Sequence, residues 1–330
     1  MGFDGFMERA LYAPECGFYE VAGVGRRGGH FITSPEVGPL FGAVVAKMLD
    51  SRWEELGYPN PFVVVDAGAG PGTLARTVAK AEPVCSRALR WINVERSAAQ
   101  RAAHTVGVSQ AGMPESPFVG VIIANELLDN LPLRLFDLDG KEVGDERPNP
   151  QTRLIPRQDQ ACAWLAQALC VLDRGMVVVI DYMCTTEEMA RRPWGEWLRT
   201  YRGHERGDDP WSAPGTQDIT CEVALDQLAA ISVPSRVRSQ ANWLKAHGIG
   251  ERVAEGTAAW RAGAAQGNLE ALVGRSRKIE AQALLDPTGL GSFTVAEWDR
   301  DEEDQAGLRT AARKPSATGL ASSTSGQIAT

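Results

Sequence analysis

The sequence has few of the residues from which disulfide frameworks and metal sites are built. Its 330 residues include six cysteines and four histidines. No two cysteines have the Cys-x-x-Cys spacing of a zinc site or a redox pair. We therefore expect reduced, mostly buried thiols and no bound metal.

Long apolar runs are also missing. No stretch of the chain approaches the roughly 18 continuous apolar residues that a membrane-spanning helix requires, so we expect no association with a membrane. The first residues carry Asp4, Glu8 and Arg9 among their apolar side chains, without the basic and then apolar order of a secretion signal. These features favour a cytoplasmic protein.

The chain lacks an excess of positive charge. Asp and Glu outnumber Lys and Arg by 42 to 34, so the formal net charge is −8. A protein that binds along a nucleic acid backbone usually carries clustered positive charge. The charge balance favours a basic protein or a small polar molecule as partner and disfavours nucleic acid.

What the sequence does contain is a series of short apolar runs, separated by segments with helical spacing. The runs are typical of parallel strands that are buried on both faces. The predicted strands are 62–67, 119–124 and 176–180, with a weaker one at 89–94 and a closing strand at 292–297. The predicted helices between and after them are 73–80, 97–104, 159–172, 222–230, 240–247 and 269–284. This alternation predicts an α/β fold with a doubly wound, Rossmann-like sheet.

The segments that flank or interrupt this alternation define the domain organisation. Residues 1–60 combine helical segments with a long loop rich in glycine and proline, which we interpret as an ordered flap. Residues 61–300 form the main domain, which a segment of little periodicity at about 186–220 interrupts as an inserted lid. Residues 301–330 are too poor in large apolar side chains to pack, so they are predicted to be a disordered tail.

The strongest motif is a glycine turn, in which Gly68, Gly70 and Gly72 alternate before the helix predicted from Thr73. Glycines let the backbone turn sharply and approach a ligand closely. Dinucleotide enzymes carry Gly-x-Gly-x-x-Gly at this place, whereas the spacing here is Gly-x-Gly-x-Gly, which suits a ligand without a pyrophosphate. S-adenosyl-L-methionine is such a ligand, and its amino-acid end would lie against the turn.

Acidic side chains at strand ends are further candidate ligands of this cofactor. Because the carboxyl ends of parallel strands share one edge of the sheet, these residues should converge on one crevice. Glu95 lies about 20 residues beyond the turn, where a carboxylate would accept hydrogen bonds from the ribose hydroxyls; the alternative is a solvated strand end. Asp66 would lie near the methionine ammonium or would serve as a helix-capping partner.

A third group follows the strand predicted at 119–124. Asn125 and Glu126 come directly after it, and Asp129 lies one turn later if a helix begins there. Buried carboxylates beside a sulfonium can orient a cationic nucleophile. We predict Asn125, Glu126 and Asp129 as catalytic residues, with Asn125 also contacting the cofactor. In the alternative interpretation, Asn125 caps a helix and Glu126 supports its first turn.

Several motifs, in the same order along the chain, resemble the MidA family of class I S-adenosylmethionine-dependent methyltransferases. That family includes the mitochondrial complex I assembly factor with protein arginine methyltransferase activity. The main motifs are Gly29-His30-Phe31-Ile32-Thr33-Ser34-Pro35-Glu36, the turn from Gly68 to Leu74, and Ala124-Asn125-Glu126-Leu127-Leu128-Asp129. Shorter ones are Leu11-Tyr12-Ala13-Pro14, Gly17-Phe18-Tyr19, Ile180-Asp181-Tyr182, Thr200-Tyr201-Arg202-Gly203-His204 and Pro214-Gly215-Thr216-Gln217-Asp218-Ile219-Thr220.

The resemblance implies a methyltransferase sheet with an inserted segment that covers the substrate, and S-adenosyl-L-methionine as cofactor. It assigns Glu95 to the ribose, and Asn125 and Glu126 to the reaction centre. It also assigns closure over the cofactor to four residues of the flap: Thr33, Ser34, Pro35 and Glu36. The chain departs from the family pattern at His30, Pro71 and Asn130.

Three functions follow from these observations. The resemblance favours methylation of an arginine in a partner protein. Methylation of a small molecule is the second, and it needs a closed pocket. The third is a cofactor-binding assembly factor without transfer activity, to which only the departures at His30 and Pro71 point. A nicotinamide-dependent dehydrogenase is disfavoured by the glycine spacing.

The lid leaves further alternatives open. Tyr201 and His204 could touch a substrate or could pack within the lid, and the segment from Asp218 could line the cleft or cap a helix. Three lid tryptophans fit either an apolar underside or a contact surface for a partner. They are Trp194, Trp197 and Trp211.

Overall fold

The computed structural model of the chain covers most of the predicted elements. The predicted tail after Asp301 lies outside the described residues, as do the flap residues Gly29 to Ile32 and His204 of the lid. The structure describes residues 1–14, 16–20, 33–144, 147–202, 205–207, 209–266 and 268–301.

The described residues form a mixed α/β architecture. The helices are α1 (Phe3–Tyr12), α2 (Ser34–Val37), α3 (Pro39–Glu55), α4 (Thr73–Lys80), α5 (Ala98–Arg101), α6 (Asp159–Val171), α7 (Thr186–Arg191), α8 (Trp194–Trp197), α9 (Leu225–Ile231), α10 (Gln240–Ala246), α11 (Ile249–Gly263) and α12 (Leu269–Leu284). The strands are β1 (Phe62–Ala67), β2 (Leu89–Val94), β3 (Val108–Gln110), β4 (Phe118–Asn125), β5 (Arg134–Phe136), β6 (Ile155–Arg157), β7 (Leu172–Asp181), β8 (Met183–Cys184), β9 (Leu198–Arg202), β10 (Glu205–Gly207), β11 (Asp218–Cys221), β12 (Val223–Ala224), β13 (Arg236–Ser239) and β14 (Thr294–Arg300).

The central sheet has seven strands in the order β13-β14-β7-β4-β1-β2-β3. The five strands from β7 to β3 in this order are parallel to one another. At the other edge, β14 pairs antiparallel with β7, and β13 pairs antiparallel with β14. Because β1 lies between β2 and β4, the strand order reverses there, and a crevice opens at the carboxyl ends of β1 and β4. The predicted doubly wound sheet is confirmed.

The sheet is buried on both faces, which explains why its central strands read as continuous Val and Ile runs. On one face, Phe41 and Val45 of α3 and Leu74 of α4 pack against Val64 of β1. On the other face, α6 and α9 pack against β4 and β7. The site edge of the sheet is therefore held rigidly by helices on both sides.

The segment predicted as an unpatterned lid contains regular elements. Residues 186–220 hold α7, α8 and a small antiparallel sheet in the order β10-β9-β11. Each element is too short to show a period in the sequence. Trp194 and Trp197 are 1% and 0% exposed and pack with α1, so they form the lid's apolar interior and not a surface for a partner.

Other sequence predictions need correction. The helix predicted at 97–104 is only the four-residue α5, because after Arg101 the N–H groups of Ala103 and His104 bond to carbonyls three residues back and not four. The six cysteines are free, but only Cys85 and Cys221 are buried. The expectation that most of the thiols are buried is therefore wrong. Within the described ranges, no helix is both long and apolar enough to cross a membrane.

Candidate active site

A cavity of about 320 Å³ lies at the carboxyl ends of β1, β2 and β4. Nine of the twelve predicted site residues line it: Thr33, Pro35, Glu36, Asp66, Gly68, Gly70, Glu95, Asn125 and Glu126. The other three, Ser34, Gly72 and Asp129, are not in its wall. The strand ends therefore bring residues that are distant in sequence to one place, as the parallel order predicts.

The glycine turn forms one wall of the cavity. Gly68, Gly70 and Gly72 have φ of 70°, 52° and 74°, in the left-handed region that other residues rarely adopt. A Cβ on Gly70 would meet no atom within 4 Å, so it would project into open space at the cavity wall. A Cβ on Gly68 would lie 2.9 Å from the Leu127 side chain. The glycines keep this wall free for a ligand that approaches the backbone.

Glu95 lies beside the turn and is fixed by backbone groups. Its Oε2 accepts a hydrogen bond from the Gly70 N–H at 3.0 Å, and its Oε1 accepts one from the Ser97 N–H at 2.9 Å. Burial raises the pKa of Glu95, although these two hydrogen bonds act in the opposite direction. Glu95 is therefore half-buried and held by the backbone of the turn and of Ser97, and its role toward the ribose stays a prediction. Each oxygen keeps a further lone pair for a ligand hydroxyl.

Asp66 is a buried carboxylate in the cavity wall. It is 3% exposed, and its Oδ2 has no hydrogen-bond partner in the described part of the chain. Burial, and then the charge of Glu95, raise the pKa of Asp66 to about 7. The helix-capping alternative is wrong, because α4 begins at Thr73 with Gly72 as its N-cap. An unpaired buried carboxylate fits a ligand that brings an ammonium group.

Glu126 follows β4 in an unusual backbone conformation, with φ of 52°. Its N–H donates to the Ile180 carbonyl at 2.9 Å, and its Oε1 accepts from the Asn125 Nδ2 at 3.0 Å and the Ser34 N–H at 3.3 Å. Burial, and then the charge of Asp181, raise the pKa of Glu126 to about 8. Left-handed backbone at a residue other than glycine costs of order 1 kcal/mol or more, so the surrounding contacts hold this carboxylate in place.

The segment after Glu126 does not form the helix that the sequence analysis considered at this place. Residues Leu128–Asn130 form a single 3-10 turn. Asp181 Oδ2 fixes this turn by accepting hydrogen bonds from the N–H groups of Leu128 at 3.0 Å and Asp129 at 3.2 Å. Asn125 and Glu126 therefore do not cap a helix, and Asp129 lies behind the cavity wall.

The start of α2 brings the described end of the flap to the cavity. Thr33 and Glu36 form a capping box, in which the side chain of each meets the backbone of the other. The Ser34 Oγ donates to the Gln240 Oε1 at 3.0 Å. Ser34 thus joins α10 to Glu126, while Thr33, Pro35 and Glu36 face the cavity.

Three cavity residues, Tyr12, Tyr19 and Asn130, were not predicted as site residues. The Tyr12 hydroxyl donates to the Asn130 carbonyl at 3.1 Å, and the two tyrosine rings stack with centroids 5.6 Å apart. The Tyr19 hydroxyl donates to the Asp218 Oδ1 at 2.9 Å. Only the motif similarity marked these positions, because the contacts join segments more than a hundred residues apart.

Comparison with known proteins identifies relatives of the chain. Residues 44–148 and 151–240, more than half of the chain, match the family model described as "Putative S-adenosyl-L-methionine-dependent methyltransferase". The crystal structure of a Burkholderia thailandensis protein bound to S-adenosyl-homocysteine matches with a TM-score of 0.74 at 26% identity, covering 91% of this chain and 88% of that one.

Two curated relatives are named as protein arginine methyltransferases. The mitochondrial NDUFAF7 of Mus musculus is 24% identical over 68% of this chain and 64% of its own length. The mitochondrial NDUFAF7 homolog of Drosophila melanogaster is 45% identical over 23% of this chain and 17% of its own length. The chain therefore covers less than two thirds of either relative.

Proposed function

The chain belongs to this family of S-adenosyl-L-methionine-dependent methyltransferases, and we propose that it methylates an arginine side chain of a partner protein. The names of the two curated relatives support arginine as acceptor. The observation in this chain that carries the proposal is Glu126, a buried carboxylate at the cavity wall held in a strained backbone conformation. Strain of this kind persists where the surrounding structure requires it, commonly at functional sites.

Three groups in the cavity wall would hold the cofactor. Asp66 would pair with the ammonium group of the cofactor, and Glu95 would accept hydrogen bonds from its ribose hydroxyls. The open backbone at Gly70 would leave room for the amino-acid end of the cofactor. When bound, S-adenosyl-L-methionine supplies the electrophilic methyl group of its sulfonium.

Glu126 would serve the acceptor. A guanidinium nitrogen that takes a methyl group must also lose a proton, so a base with a pKa near neutral has to lie beside it. The pKa of Glu126, raised to about 8, meets that requirement. The bonds from Asn125 and Ser34 fix one of its oxygens, and the other oxygen would face the acceptor.

Transfer of labelled methyl groups tests the proposal. The purified chain and tritiated S-adenosyl-L-methionine are incubated with lysate of a strain that lacks the protein, and labelled proteins are hydrolysed for amino-acid analysis. We expect label in methylarginine, and an initial rate of labelling that is lower by about 10²-fold or more with the Glu126→Gln variant. Label only in small metabolites would contradict a protein acceptor. No label, with cofactor binding intact, would support the non-catalytic alternative.

A further inference from the structure

Two buried hydrogen bonds connect Glu126 to the start of α10. The N–H of Ser34 donates to the Glu126 Oε1 at 3.3 Å, and the hydroxyl of the same serine donates to the Gln240 Oε1 at 3.0 Å. The side chains of Ser34 and Gln240 are both 0% exposed. Gln240 is not among the described residues that line the cavity, so its influence on the site passes through Ser34.

Gln240 is anchored to the same framework that holds the backbone of Glu126. It is the first residue of α10, and its N–H donates to the carbonyl of Phe293, directly before β14, at 2.7 Å. In the sheet, β14 pairs with β7, and the Ile180 carbonyl of β7 accepts the Glu126 N–H at 2.9 Å. The amide of Gln240 is therefore a fixed point relative to the carboxylate of Glu126.

The short helix α2 lies between these two groups and is held at both ends. At its far end, a Cβ on Gly38 would overlap the carboxyl group of Glu280, and the same carboxyl group accepts the Leu40 N–H at 2.8 Å. At its near end, the bond from Ser34 to Gln240 fixes the first residue of the helix. This bond therefore determines where the Ser34 N–H points.

The buried amide of Gln240 is costly at this place. Its Nε2 has no hydrogen-bond partner in the ranges that the structure describes, and burying an unpaired polar group lowers stability. An apolar side chain would fill the same space without that cost. A hydrogen bond, however, fixes the distance and direction between two groups, whereas apolar contact is non-directional. The amide therefore contributes geometry more than stability.

We propose that Gln240 is a positioning residue for methyl transfer, which holds one oxygen of Glu126 through Ser34 and so directs the other oxygen to the acceptor. The inference rests on the proposed function, because it takes Glu126 as the base. The Ser34 N–H also stabilises the ionised form of this carboxylate and so acts to lower its pKa. Loss of the Ser34–Gln240 bond should therefore displace the base and make it hold its proton more tightly.

The pH dependence of methyl transfer tests the proposal. Gln240→Met removes the amide at similar length, and Ser34→Ala removes the hydroxyl but keeps the backbone N–H. Because the pKa of Glu126 lies at about 8, a further rise by about 0.5 to 1 would lower its ionised fraction at pH 7 by about threefold to tenfold. We expect the initial rate of labelling of lysate proteins to fall by that factor at pH 7 and to recover at higher pH.

The double variant shows whether the two residues act through one bond. Its rate and its pH midpoint should match those of either single variant, because each substitution breaks the same hydrogen bond. A loss of folded protein alone would lower the rate equally at every pH and would leave the midpoint where it is. Effects that add in the double variant would contradict the connection from Gln240 through Ser34.

Other titratable groups also face Glu126. Asp181 and Tyr182 lie at and after the end of β7, Asp129 lies in the turn that follows Glu126, and Glu36 lies in α2. Neither substitution changes any of these groups, so a shift of the midpoint reports the lost contact and not a changed charge.

A measurement without catalysis separates this inference from the proposed function. In a chain labelled with carbon-13 at the glutamate carboxyl groups, the resonance that is missing in Glu126→Gln reports the protonation of Glu126. We expect its pH midpoint to rise in Gln240→Met and Ser34→Ala. The matched control is Gln227→Met, which removes a half-buried amide of α9 whose hydrogen bonds go to other segments, and it should leave the midpoint unchanged.

Each outcome of this titration decides one question. An unchanged midpoint in both single variants overturns the inference, and if Gln240→Met does not fold, Ser34→Ala alone decides. A midpoint that rises in a chain without methyl transfer contradicts the proposed function alone. A midpoint that rises in the titration but not in the labelling rate contradicts Glu126 as the base.

Discussion

Oε2 of Glu95 and the N–H of Gly70 form a 3.0 Å hydrogen bond that joins the end of β2 to the glycine turn after β1. The carboxylate predicted to bind the ribose therefore also fixes the wall predicted to receive the amino-acid end. The two halves of the predicted cofactor site are one unit, because a change at Glu95 also releases the backbone at Gly70.

Gly70→Ala should weaken cofactor binding strongly. The alanine Cβ would enter the cavity, and the left-handed backbone at φ of 52° would cost about 1 to 2 kcal/mol of stability. Gly140→Ala is the matched control, because Gly140 is exposed with φ of 82° and has no atom within 4 Å of its Cβ position. We expect both variants to lose similar stability and only Gly70→Ala to lose affinity for S-adenosyl-homocysteine by calorimetry. Similar affinity in the two variants would mean that the wall at Gly70 does not meet the ligand.

Asp66→Asn should change how stability depends on pH. The pKa of Asp66 is raised from 3.8 to about 7 in the folded chain, so the folded state holds this proton more tightly than the unfolded state. The resulting stabilisation is full below the unfolded pKa and is lost as the pH rises through the folded pKa. The unfolding free energy of Asp66→Asn relative to the unchanged chain should therefore rise by up to about 4 kcal/mol between acidic and mildly basic pH.

Urea unfolding without cofactor, at several pH values, measures this difference. A difference that stays constant with pH would show that folding does not raise the pKa of Asp66. In the unchanged chain, bound cofactor should reduce the loss of stability with rising pH. The reason is that an ammonium beside Asp66 stabilises its carboxylate and so lowers its pKa. Proton release on cofactor binding, read from calorimetry in buffers of different ionisation enthalpy, should disappear in Asp66→Asn.

Glu126→Gln should slow methyl transfer without weakening cofactor binding. Glutamine keeps the shape and leaves the backbone at φ of 52° as it is, but it cannot accept the acceptor's proton. General-base catalysis contributes about 10²- to 10⁴-fold, so the initial rate of label incorporation should fall by about 10²-fold or more. A rate within a few-fold of the unchanged chain would remove Glu126 from the proton transfer.

The sequence predicted the strands and the helix around the glycine turn with good accuracy. The strands at 62–67 and 89–94 and the helix at 73–80 have the predicted ends, because apolar runs and glycine are strong local signals. The convergence of Asp66, Glu95 and Glu126 followed from the parallel order alone. Their roles toward the cofactor and acceptor stay predictions.

The acceptor side could not be predicted in the same way. Tyr19 and Asp218 are 199 positions apart, and no local pattern announces their hydrogen bond. The lid strands are three to five residues long, so no period develops in them. The helix α11 was missed because its sequence mixes glycine, alanine and charged residues with few large apolar ones.

Calorimetric titration of the chain with S-adenosyl-homocysteine tests the cofactor site most directly. The account predicts binding of S-adenosyl-homocysteine, no binding of NAD, and a loss of about 1 to 3 kcal/mol in Glu95→Ala, which removes two charge-assisted hydrogen bonds. No binding of S-adenosyl-homocysteine, or the same affinity in Glu95→Ala, would contradict it.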